Sequence, residues 1–386
     1  MSPIRVMKLL IAIALAASIV AGCTSAAGAN PGVPIVLPSA DPAPGQPGVA
    51  ARPALPSRPT LARLIGQKLV VRMDGTTASA SLLGRIRRGE IGGVILLGAN
   101  ITTRSALIAL TKTLQAAAKA AGRPPLLIGV DQEGGSIKRI SWAPPTLSPP
   151  QIGALKLSSV ALAQGTSTGA ALRALGINVD FAPVADVPAS AASFIAKQGR
   201  AFSTSSTRTA TLADAFALGL RSEGVLPVMK HFPGLGFATK DTDSSVVDIL
   251  QSRALLAAGL RPYKTAIAHD IPMIMLSNAT YAAYDGVNAA GWSSAIGTTL
   301  LRHDLGFAGV TITDSLDGTA HSRGLSTRVL AVRAAAAGTD MILMTGSEAT
   351  TASVFTTLLD DAEDGALPIA PLQASYDRIL ALKASL

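Results

Sequence analysis

From about Leu61 onward the chain repeats one pattern: a short apolar run, often β-branched, followed by an Ala- and Leu-rich stretch with helical spacing. The runs are KLVVRM at 68, GGVILL at 92, PLLIGV at 125, NVDFAPV at 178, GVLPVMKH at 224, PMIMLS at 272, GVTITD at 309 and DMILMT at 340. Helical spacing is clearest over Ser206–Glu223, Leu250–His269 and Ser322–Ala337. Near-continuous apolar strands are buried on both faces, so their alternation with helices predicts a parallel sheet covered by helices. Eight such units predict an α/β fold, a single (β/α)8 TIM barrel over 61–386, with a doubly wound open sheet as the alternative arrangement.

The barrel carries an expectation about chemistry, because active sites of this fold gather at the C-terminal ends of the strands. The polar residues just after the apolar runs are Asp131 and Glu133, Asp186, Lys230 and His231, Asn278, and Asp314. Carboxylates dominate that rim. Asp314, directly after VTIT, is the best-placed nucleophile, though a strand-Asp-helix turn also suits a helix N-cap. Glu133 and Asp186 serve either as site residues or as loop braces, and Asp180, within the fourth strand, suits a supporting hydrogen bond.

The residues before Leu61 follow other rules. Arg5 and Lys8 precede the apolar run LLIAIALAASIVAG, which ends in small residues at Cys23. That order predicts a secretory leader over 1–22 and an exported mature protein. VAGC resembles the lipobox of bacterial lipoproteins, whose cysteine carries lipid after cleavage; the alternative is a plain leader with a chance cysteine. The expectation is therefore lipidation at Cys23 and anchorage to the outer face of the bacterial cell membrane. Cys23 is the only cysteine, so no intrachain disulfide forms. Nine of the 24 prolines fall between Pro31 and Pro59, which predicts an extended tether over 23–60.

Composition narrows the choice further. The 386-residue chain is 48% hydrophobic and can bury a large core. Its formal charge of +9 is spread along the chain, and only 4% of residues are aromatic, which argues against nucleic acid. The four histidines, His231, His269, His303 and His321, form no H-x-x-x-H pair, and DQEGG lacks the lysine and spacing of a phosphate loop. Neither metal nor other cofactor is expected. Paired carboxylates at a barrel rim suit sugar chemistry, one attacking an anomeric carbon while another acid protonates the leaving oxygen.

LIGVDQEGGSIKRI, GINVDFAPVADV, GRAFS, KHFPGLG and GFAGVTITDSL stand in the order and spacing of glycoside hydrolase family 3. The chain resembles most its single-domain bacterial β-N-acetylhexosaminidases, over about Leu61 to Leu386. The resemblance implies a retaining hydrolase that removes terminal N-acetylglucosamine, often from peptidoglycan fragments, through a covalent glycosyl-enzyme. It implies Asp314 as nucleophile, with Asp131, Arg200, Lys230 and His231 holding the sugar. The expected partners are a glycan, from this resemblance, and the membrane, through lipid at Cys23; a monomer is expected, and no nucleic acid.

The resemblance fails at one loop. The family pattern there ends in D-S-H, the histidine acting as acid and base and the aspartate orienting it. Here the same count gives Asp241, Thr242 and Asp243. Leu235 and Asn278 also stand where the pattern has histidine. Three outcomes are open: Asp243 replaces the acid, its pKa raised by like charge and partial burial; hydrolysis is slow; or the pocket binds sugar without turnover. An envelope scaffold is a fourth, since a fold does not by itself imply chemistry.

Overall fold

The computed structural model describes residues 59–386. The leader, Cys23 and nearly all of the Pro-rich segment lie outside these residues.

Each of the eight apolar runs is a strand. They are β1 (Leu69–Arg72), β2 (Gly93–Leu96), β3 (Leu127–Val130), β4 (Val179–Asp180), β5 (Leu226–Phe232), β6 (Met273–Leu276), β7 (Val310–Thr313) and β8 (Ile342–Met344). From β1 to β7 each strand pairs in parallel with the next, and β1 also pairs with β8. A parallel bridge between Ile312 and Met341 joins β7 to the segment entering β8, which closes the ring. The barrel is therefore the arrangement adopted, and the open sheet is not.

Side chains alternate along these strands, and so the core has two compartments. Val70, Ile95, Leu127, Val179, Val228, Met275, Ile312 and Leu343 fill the interior together with Phe181. Val71, Val94, Ile128, Met229, Ile274 and Ile342 face outward into the layer of helices. Gly129 is required by this packing, because a Cβ there would lie 2.6 Å from the Phe181 ring. Ile379 and Leu382, from the helix Ile369–Lys383, join the interior cluster and cover its N-terminal end. Full burial of each such side chain contributes on the order of 1.5–3 kcal/mol.

Helix boundaries follow capping chemistry more closely than periodicity. Ser206–Ser222 matches its prediction, with Ser205 accepting from the Arg208 N–H as N-cap. The helix expected from Leu250 starts instead at Arg253, after Ser252. The helix expected over Ser322–Ala337 is two helices, Leu316–Ser322 and Thr327–Ala336. Gly324, at φ +66°, and the Ser326 N-cap break the run between them.

Candidate active site

The C-terminal ends of the strands enclose a cavity of about 410 Å3. All seven barrel residues expected in the site line it: Asp131, Arg200, Lys230, His231, Asp241, Asp243 and Asp314. Asp131 follows β3, Arg200 follows the short helix Phe194–Lys197, and Asp314 follows β7. Lys230 and His231 are neighbours within β5, where alternation alone would send them to opposite faces. The pairing of β5 with β6 shifts register between Met229 and Phe232, the regular alternation is lost there, and both side chains reach the cavity.

One wall is a network of buried ion pairs. Lys230 Nζ lies 2.8 Å from Asp131 Oδ1 and 2.7 Å from Glu133 Oε1. Arg200 forks onto Glu133, Nε at 2.8 Å from Oε2 and Nη2 at 2.7 Å from Oε1. Glu133 is therefore a brace that serves two cavity-lining cations. Burial by itself would raise its pKa, but Lys230 and Arg200 prevail and hold it at about 2. Burial likewise works against the charge on Lys230, and Asp131 and Glu133 reverse this, raising its pKa above the usual value. Asp180 accepts from the Gln132 N–H at 3.0 Å, the supporting bond expected of it. Its full burial, opposed by that bond and by Lys230, pushes its pKa up to about 8.

The opposite wall holds the candidate nucleophile. His231 Nδ1 lies 2.7 Å from Asp186 Oδ2. Asp186 is fully buried behind the ring and also accepts from the Leu235 N–H at 2.7 Å. With a carboxylate facing Nδ1, the proton resides there, and Nε2 is turned toward Asp314 Oδ2 at 3.9 Å. Asp314 Oδ1 accepts from the Ser315 N–H at 2.8 Å. The N-cap reading of Asp314 does not hold, since Ser315 occupies the N-cap position of the helix Leu316–Ser322, without a side-chain cap bond, and the Asp314 carboxyl accepts from the Ser315 N–H rather than from a first-turn amide.

Asp241 Oδ1 accepts from the Asp243 N–H at 3.0 Å, fixing the backbone of the residue that stands in place of histidine. Asp243 lies at the cavity mouth with solvent on one side. The surrounding protein first, and then like charge from Asp314, Asp241 and Asp131, push its pKa up to about 8. Solvent on the open side weakens both causes without reversing either.

Two of the three positions where histidine was expected are now explained as structure. Leu235 is a buried, apolar part of the wall whose backbone, not side chain, joins the Asp186 network. Asn278 does not line the cavity; it is buried, and its Nδ2 donates to Ser315 O at 2.7 Å and Thr319 Oγ1 at 2.9 Å. Sequence reasoning missed Arg139, which lines the cavity 3.6 Å from Asp131 Oδ2. It follows no barrel strand: the hairpin formed by Gln132–Gly134 and Ile137–Lys138 returns it to the rim. Among the described residues no cluster of His, Cys, Asp or Glu is arranged to hold a metal ion.

Comparison with known proteins bears on the fold and the family. The model of the glycosyl hydrolase family 3 N-terminal domain matches residues 60–382. An uncharacterized secreted glycosyl hydrolase of Arthroderma benhamiae is 34% identical over 333 residues, 84% of this chain and 94% of that one. The β-hexosaminidase of Bordetella parapertussis is 33% identical over 304 residues, 76% of this chain and 81% of that one. Among solved structures, the β-N-acetylhexosaminidase of Beutenbergia cavernae matches with a TM-score of 0.78 at 32% identity, over 85% of this chain and 99% of that one. The family 3 β-N-acetylglucosaminidase of a Paenibacillus species matches with a TM-score of 0.81 at 29% identity. There the match covers 85% of this chain but 63% of the other, less than two thirds of that protein. The chain belongs to glycosyl hydrolase family 3, as a β-hexosaminidase-like glycosidase built on that family's N-terminal barrel.

Proposed function

We propose that this protein removes terminal β-linked N-acetylglucosamine with retention, using Asp314 as nucleophile and Asp243 as general acid and base. The supporting observation is the pair itself: Asp314 held by the Ser315 N–H, and Asp243, whose surroundings push its pKa up, sharing its cavity. Asp314 attacks the anomeric carbon while Asp243 gives its proton to the departing glycosidic oxygen. Asp243, now a carboxylate, then takes a proton from the water that attacks the glycosyl-enzyme, and both carboxyl groups return to their starting states. Lys230 has a third N–H beyond those facing Asp131 and Glu133, and it suits a sugar hydroxyl; His231 Nε2 lines the same cavity.

In this reading the protein is exported and held by lipid on Cys23 at the outer face of the membrane, and it acts on cell-wall glycans. The leader, VAGC and the Pro-rich tether support that part. Cys23→Ala would then move the protein from the membrane fraction to the soluble one.

Turnover of an aryl N-acetylglucosaminide by wild type, lost in Asp314→Asn, is the expected result. Binding of N-acetylglucosamine with no turnover by wild type would replace the enzyme with a sugar-binding lipoprotein.

A further inference from the structure

The segment carrying Asp243 is pinned at three backbone atoms. Its N–H is held by Asp241 Oδ1 at 3.0 Å, from within the loop. The other two contacts come from the helix Leu316–Ser322. Thr319 Oγ1 donates to the Thr242 carbonyl at 3.0 Å, and both residues are buried. Gly318 packs so closely that a Cβ there would lie 2.6 Å from the Asp243 carbonyl oxygen.

That helix is itself fixed from two sides. Asp317 Oδ2 accepts from the Thr345 N–H at 2.6 Å and Oδ1 from Thr327 Oγ1 at 2.9 Å, tying it to the loop after β8 and to the next helix. Asn278, after β6, donates to Ser315 O and to Thr319 Oγ1. The Thr319 hydroxyl thus receives one hydrogen bond and passes on its only proton, so its direction is set. The three contacts leave the Asp243 carboxyl as the group not used in holding the loop.

We infer that Thr319, carried by Gly318 and oriented by Asn278, is a positioning residue that holds Asp243 at the cavity mouth before substrate arrives. This rests on Asp243 being the acid. It also links two departures from the family pattern, Asn278 and Asp243, through one chain of hydrogen bonds. A short carboxylic acid has less reach than a histidine, and its loop tolerates less displacement.

The test compares kcat/KM on two N-acetylglucosaminides, diacetylchitobiose, whose sugar leaving group needs a proton, and the 4-nitrophenyl glycoside, whose leaving group does not. Thr319→Val should lower the disaccharide value about 10- to 100-fold and the nitrophenyl value by less than about 3-fold. Thr319→Ser, which keeps the hydroxyl, should recover most of the loss. Gly318→Ala, which removes no hydrogen bond but displaces the Asp243 carbonyl, should reproduce the split, and serves in place of Thr319→Val if that variant does not fold. An equal fall on both substrates, or no fall, overturns the positioning role. Asp243→Asn runs in parallel: if it leaves disaccharide turnover intact, the assignment of the acid is what fails. If Asp243→Asn is impaired while Thr319→Val and Gly318→Ala are not, only the positioning role fails.

Discussion

At the C-terminal end of the barrel Lys230 sits between Asp131 and Glu133 beside an open cavity, whereas at the N-terminal end Lys383 is buried against two uncharged acceptors. Those acceptors are Gln67 Oε1 at 2.6 Å and Gly92 O at 2.7 Å. The environments drive the two ammonium groups apart. Carboxylates raise the pKa of Lys230 despite its burial, while burial alone lowers Lys383 to about 7. Lys68, donating to Thr339 O at the same end, falls to about 8 for the same reason. Asp340 nearby is fully buried between Arg302 and Arg378. Charge at one end is maintained beside water, where a ligand can use it. At the other end it is suppressed or closed into pairs, and the groups tie the helix Ile369–Lys383 and the strand entries together.

The comparison breaks first at Asp314. Asp314→Asn should reduce kcat about 10⁴-fold, roughly 5.5 kcal/mol of barrier, with an unchanged thermal transition; aryl-glycoside kinetics and a melting curve check this.

Glu133→Gln should act on both fold and binding, because it leaves Arg200 and Lys230 without their shared carboxylate. Loss of one partner in a buried pair costs about 3–5 kcal/mol, read by denaturant unfolding. KM should rise as the two cations lose their aim.

Lys383→Met should leave kcat and KM unchanged and alter only stability and its pH dependence. An ordinary lysine pKa of 10.5 applies in the unfolded chain, against about 7 when folded. Between those values the unfolded chain binds more protons, so this lysine makes stability increase as pH rises and lose that increment as pH falls toward 7. The difference in unfolding free energy between wild type and variant should follow that slope. A slope equal in both proteins would show that Lys383 remains charged in the fold.

The barrel was readable because most strands are near-continuous apolar runs between turn-forming residues, a signal that survives without any knowledge of neighbours. Thr311 and Thr313 interrupt the run of β7 without obscuring it, since their hydroxyls are satisfied by Asp340 and Leu343. The strand-end rule also found Asp131, Lys230, His231 and Asp314. It could not show that Asn278 turns away from the cavity, since its partners Ser315 and Thr319 lie 37 and 41 residues on. Nor could it find Thr319, whose role depends on a hydrogen bond to a backbone carbonyl 77 residues away. Asp186 was visible as a polar strand end, but its place behind His231 depends on the path of the chain through Leu235.

The central claim is that Asp243 delivers the proton, and the pH dependence of kcat/KM on diacetylchitobiose tests it most directly. An acid must be protonated to act, so with its pKa pushed up to about 8 wild-type activity should fall as pH rises through about 8. Glu133, held at about 2, is ionised throughout that range and cannot produce the fall. Asp243→Asn should be about 10²-fold slower at pH 6 and show no decline near 8. An unchanged alkaline decline in Asp243→Asn would contradict the claim.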